Sequence, residues 1–157
     1  MATPQAVQEE LKVSRTIRAS RQRVFRAWTE PELMMRWFVE GDDEMRVCRI
    51  DLREGGRYEF EGTSKGRPWS VRGEYLEVKP PERLVYTWTW SLDPAKGEST
   101  GDDTLVTIDF IDRGKETDVV LTHERFASAK AREEHAKGWM GCLDRLSKLA
   151  EGEEEFR

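Results

Sequence analysis

The hydrophobic pattern of this chain changes period twice, and that limits its fold more than any other feature. Before about residue 44, apolar side chains recur at helical spacing in two short stretches. From Met45 to His123 they alternate, as on strands whose two faces meet different surroundings. From about Ala129 to Ala150 the helical period returns. His135, Trp139, Cys142, Leu143, Leu146 and Leu149 fall at i, i+4, i+7, i+8, i+11 and i+14. A meander of strands closed by one long amphipathic helix predicts an α+β domain with an antiparallel sheet of six or seven strands. The helix is expected to pack across the concave face of that sheet, because a curled sheet gripping it buries more of both.

The segments can be placed more closely. Leu11, Val13 and Ile17 suit a first strand. Ser20 is an N-cap for a helix over Arg21–Trp28, where Val24, Ala27 and Trp28 share a face. Thr29-Glu30-Pro31-Glu32 reads as a capping box opening a second short helix to Trp37. Strands follow at Met45–Leu52, Arg57–Glu61, Trp69–Val78, Leu84–Trp90, Thr104–Ile111 and Thr117–His123. Turns are expected at Glu54-Gly55-Gly56, Lys65–Pro68 and Asp112-Arg113-Gly114, and Pro80-Pro81 breaks the chain before the fifth strand. Residues 1–11 read as an arm, 12–150 as one domain, 93–102 as a polar loop and 151–157 as a polar tail.

Charge and cysteine content narrow the partners. The net charge of −5 comes with no basic stripe, so nucleic acid is not expected. No apolar run approaches the roughly 18 residues of a membrane span, and the first residues lack the form of a signal peptide. Cys48 and Cys142 sit among apolar neighbours and read as small core residues of a cytoplasmic protein.

The strand at 84–90 carries the strongest pattern in the chain. Leu84, Tyr86, Trp88 and Trp90 share one face, and Tyr58 and Phe60 share a face of an earlier strand. So many rings are hard to pack densely against one helix, so an apolar cavity between sheet and helix is expected. Its lining is expected to include Phe60, Tyr86, Trp88, Trp90, Trp139 and Leu143. Gly138 and Gly141 flank Trp139 inside the helix, where each is disfavoured by about 1 kcal/mol. Close approach to the sheet, or room for something bound, would explain them.

Acid–base candidates are few. His123-Glu124 invites a catalytic reading, but neighbours on a strand point to opposite faces, so Glu124 cannot orient His123, which is expected to be structural. His123 and His135 could meet in space, yet two histidines without further spaced ligands make a poor metal site. Asp51 and Arg53 are expected to pair at the hairpin. No catalytic residue, metal or cofactor is assigned.

Longer motifs carry a resemblance. Thr16-Ile17-Arg18-Ala19, Val24 to Pro31 and Trp37 match an opening. Asp51 to Phe60 matches a central hairpin. Gly73 to Val78 with Pro80 to Trp88, then Leu121 to Glu124 and Gly138 to Leu146, match the rest. Over about residues 12–150 the chain is similar to the activator of heat-shock-protein-90 ATPase homologue family of the START-like (SRPBCC) superfamily. The resemblance implies a helix-grip fold with an interior ligand cavity. It does not imply a reaction, and the further N-terminal domain of the eukaryotic activators has no counterpart in these residues. The leading expectation is binding of a small hydrophobic or lipid-like molecule without catalysis. A cyclase or hydrolase of the same superfamily and a protein-interaction or chaperone-partner domain are the alternatives. The sequence leaves a homodimer open.

Overall fold

The computed structural model describes residues 9–41, 43–92 and 104–152. Ten elements follow one another: β1 (Glu9–Ile17), α1 (Arg21–Thr29), α2 (Pro31–Trp37), β2 (Glu44–Ile50), β3 (Arg57–Ser64), β4 (Arg67–Lys79), β5 (Arg83–Leu92), β6 (Thr104–Asp112), β7 (Thr117–Phe126) and α3 (Ala129–Glu151). The strands form one curved antiparallel sheet in the order β1-β7-β6-β5-β4-β3-β2, so the first strand lies beside the last. With the long C-terminal helix and the two short ones, this is an α+β helix-grip fold. Of the expected arm at 1–11, Glu9–Leu11 belong to β1, and of the expected tail at 151–157, Glu151 ends α3; residues 1–8, the polar loop at 93–102 and residues 153–157 lie outside the described residues.

Strand ends shift by a few residues from expectation, and hairpin geometry explains the shift at the β3–β4 turn. Lys65 and Gly66 both have positive φ, which makes a two-residue turn whose twist matches that of the flanking strands. Arg67 and Pro68 therefore join β4 instead of the turn, and β3 runs on to Ser64. The capping box is corrected. Thr29 closes α1, with its hydroxyl donating to the Phe25 carbonyl at 2.9 Å. The N-cap of α2 is Glu30, which makes no side-chain cap bond, and Pro31 starts that helix. Ser20 does cap α1, accepting from the Arg23 N–H at 3.3 Å.

Arginines tie the helices together at their unsatisfied carbonyl ends. Arg23 of α1 donates to the Ala150 and Gly152 carbonyls at the end of α3 (2.8 and 3.2 Å). Arg145 of α3 in turn donates to the Trp37 and Phe38 carbonyls at the end of α2 (2.9 and 3.2 Å). On α3, Trp139, Leu143 and Leu146 are buried and Lys137 and Lys148 exposed. Asp144 is only half-exposed, because it pairs with Arg15 of β1 at 3.2 Å.

The sheet has two positions where only glycine fits. A Cβ on Gly73 of β4 would collide with the Thr87 carbonyl of β5 and the Tyr58 ring of β3. Neither neighbour can move: Tyr58 is buried, and its hydroxyl donates to that same carbonyl. Gly62 meets the Glu44 carbonyl in the same way. Gly73→Ala is expected to cost about 2–3 kcal/mol in chemical denaturation, near the top of the range for overpacked sites. An unchanged midpoint would show that the strands can part there.

A cleft between the sheet and the long helix

The interior between sheet and α3 is filled to a greater extent than alternation alone predicts. Helices α1 and α2 insert Trp28 and Trp37 beneath α3. Trp28 lies 4.8 Å from Trp37 and stacks near-parallel on Trp139 at 6.1 Å. Phe38, which ends α2, sits amid the rings, within 5.2 Å of Phe60, 6.2 Å of Trp88 and 6.4 Å of Trp139. Tyr58, Tyr75 and Tyr86 form a closed triangle with centroids 5.2–5.7 Å apart. The Tyr86 hydroxyl accepts from the Trp28 indole at 3.3 Å, and burial pushes its pKa up.

What remains open is a cleft of about 480 Å³ at one end of the sheet. Its walls come from four places. β5 supplies Trp88, Trp90 and Leu92, β4 supplies Trp69, the end of α2 supplies Phe38, and α3 supplies His135, Gly138, Trp139 and Cys142. Trp69 and Trp90 stack at 5.4 Å with an angle of 12° between their planes. Charged groups of both signs rim the opening: Glu40, Asp43 and Glu134 against Lys65, Arg67 and Arg145. Of the six residues that alternation and helical spacing single out, Trp88, Trp90 and Trp139 line this cleft. Phe60, Tyr86 and Leu143 are buried in the packed core behind it. Gly138 is exposed with nothing within 4 Å of where a Cβ would stand, and Gly141 faces only the Arg145 side chain. Close approach to the sheet is thus not what selects these glycines, and Gly138 leaves open space at the cleft wall.

Behind the cleft lies a chain of hydrogen bonds whose donors can be assigned from chemistry alone. The Thr104 hydroxyl donates its one proton to the Trp88 carbonyl at 2.9 Å. It therefore accepts from Nε2–H of His123 at 2.6 Å. Nδ1 of His123 is then bare, and it accepts from the Trp139 indole at 3.0 Å. His135 has the opposite tautomer. Its Nδ1 must donate to the Ala131 carbonyl at 2.9 Å, and its Nε2 accepts from the Trp88 indole at 3.3 Å. The two imidazoles do meet, 5.3 Å apart, with the Phe126 ring against both. Burial holds His123 neutral, with a pKa down at about 2, and lowers that of His135. Glu124 is half-exposed while His123 is fully buried, as opposite strand faces require.

Other chemistry is muted. The Cys142 thiol is pushed up to about 11 by burial, and Cys48 to about 12, so neither is a thiolate at neutral pH. Both are free. Among the described residues no group of three or more His, Cys, Asp or Glu could hold a metal ion. Asp51 and Arg53 pair at 2.9 Å on the exposed hairpin. A second depression, on the outer face of β2–β5, is lined by Arg49, Arg57 and Arg72 alternating with Glu59 and Glu74. That pattern is a solvated sheet face, and it lacks an apolar wall.

Sequence and fold comparisons agree with this architecture. The sequence profile of the family described as Activator of Hsp90 ATPase homolog 1-like protein matches residues 18–151. Protein CV1439 from Chromobacterium violaceum is 26% identical and superimposes with a TM-score of 0.80, over 92% of this chain and 99% of that one. A Rhizobium leguminosarum protein is 24% identical with a TM-score of 0.80, over 92% and 95% of the two chains. CalU16 from Micromonospora echinospora is 26% identical with a TM-score of 0.67, over 93% and 78%. No curated protein matches the sequence.

Proposed function

The chain belongs to the Activator of Hsp90 ATPase homolog 1-like family, and from that premise we propose that it binds a small hydrophobic or lipid-like molecule in the cleft between β5 and α3. One observation carries the reading: the cleft is walled by four indoles and a phenyl ring, with charged groups only at its rim. Ligand sites are built in this way, with apolar walls for affinity and a few polar groups for orientation. Its volume of about 480 Å³ lies within the ordinary range for small-molecule sites. The cyclase or hydrolase reading finds less support, because both histidines spend their ring nitrogens on structural partners. The free cysteines fit the cytoplasm as the working compartment.

Titration with the neutral dye Nile red, read by dye emission and tryptophan quenching, tests the proposal. Micromolar binding is expected. Trp90→Ala is expected to weaken it about tenfold, since one aromatic wall is worth about 1–2 kcal/mol. Trp90 is only half-buried, so the variant should remain folded. Native mass spectrometry of the protein as purified should show an added small-molecule mass. If neither measurement shows binding, the cleft is unused and the interaction-domain reading takes its place.

A further inference from the structure

The cleft and the buried histidines share a wall. Trp88 and Trp139 face the cleft on one side, and each gives its indole N–H to a bare imidazole nitrogen on the other. An indole N–H can only donate, so each bond exists only while that nitrogen carries no proton. No hydrogen-bond acceptor replaces the bond if a proton arrives, because two N–H groups would then face each other across 3.3 Å. His135 is the accessible member of the pair: it is half-buried and itself lines the cleft, whereas His123 is sealed behind Trp139.

Resting on the binding reading above, we infer that His135 is a positioning residue whose bare Nε2 holds the Trp88 ring in the cleft wall, and that a proton on this nitrogen frees the ring and weakens binding. The surroundings set the sense of the response. From α3, Glu134 favours the proton on His135, and the bond to the Ala131 carbonyl tolerates it, since Nδ1 donates in either state. From β7, His123 stays neutral down to about pH 2 and adds no charge of its own. β5, β6 and the end of β7 face the pair with Trp88, Thr104 and Phe126, all uncharged. Across the cleft stand Glu40 and Asp43 after α2, Lys65 and Arg67 on the β3–β4 hairpin, and Arg145 on α3. Burial lowers the His135 pKa below its ordinary value, so the bond is intact at neutral pH and opens on acidification. A cleft of this design loads its ligand at neutral pH and releases it in a more acidic setting.

Two-dimensional proton–nitrogen spectra of the free protein, recorded from pH 7.5 to 5, follow the indole N–H groups one by one. The Trp88 signal is expected to move in a single step with its midpoint below pH 6.5, while the Trp139 signal stays in place. Nile red affinity should fall about tenfold over the same step. In His135→Gln, whose amide oxygen can still accept but cannot be protonated in this range, the Trp88 signal and the dye affinity should both become independent of pH, whatever the affinity itself. A Trp88 signal that holds still across the range overturns the inference, and so does an unchanged pH dependence of binding in His135→Gln. A Trp88 signal that titrates in a protein that binds no dye at any pH would leave the positioning role standing and remove the ligand reading instead.

Discussion

Trp37→Ala is expected to remove about 4–5 kcal/mol of stability and to lower the melting temperature by about 10–15 °C. The ring is fully buried, lies 4.8 Å from Trp28 and 5.9 Å from Phe38, and donates to the Ala27 carbonyl at 2.8 Å. Truncation therefore leaves a large void and also strips a buried carbonyl of its indole partner. The loss is a large part of the 5–15 kcal/mol that holds a typical domain together. Urea denaturation followed by circular dichroism measures it. A loss below 2 kcal/mol would mean that α2 is not anchored by this ring.

Acidification is the second large effect. The unfolded chain takes up a proton on His123 near pH 6.5, whereas the folded chain keeps this side chain neutral down to about pH 2. Between these values the unfolded state binds the extra proton, so stability falls as pH falls, by about 1.4 kcal/mol per unit. From pH 7 to pH 5 the expected loss is about 2 kcal/mol from His123, and His135 adds in the same direction. Asp118 and Glu151 also have lowered pKa values, but the stability they contribute is lost only as pH falls through the carboxylate range, below this window. Urea midpoints at pH 7 and pH 5 test the claim. His123→Gln should be less stable at pH 7, yet show a clearly smaller drop between the two. Equal midpoints for the native protein at both pH values would sink it.

The element order was legible in the sequence because each element announces its own period. The alternation of β5 and the spacing of α3 are local facts, and both survive in the structure almost residue for residue. The inner face of β5 was legible for the same reason. What could not be read was which rings meet. Phe38 looks like a residue just past a helix end, and nothing local says that α2 drives it between Phe60 and Trp88. Its arrival fills the space beside Phe60 and Trp139, and the open volume lies toward Trp69 and Trp90. Trp69 alternates with Val71 and could have been added to the inner face, but its stacking on Trp90 depends on the β4–β5 register, which shifts between Tyr75 and Glu77 and sets Val71 opposite Trp90. The capping box failed because Thr29 found a carbonyl one turn back in its own helix, a competing bond that threonine often prefers.

One pair of neighbours in this sheet, β1 and β7, is far apart along the chain, while the other strands pair in sequence. Thr16 of β1 bonds to Asp118 of β7, 102 positions later, and Arg23 reaches the Ala150 carbonyl 127 positions later. During synthesis at about 5–20 residues per second, β1 and the indoles of α1 and α2 wait on the order of 10 s before the strand and helix that cover them exist. Closing such long loops is slow in any case, since their entropy must be lost before the contacts form. The nascent chain therefore exposes Trp28 and Trp37 before β7 and α3 are made, and its yield in a cell depends on what shields those rings in the meantime.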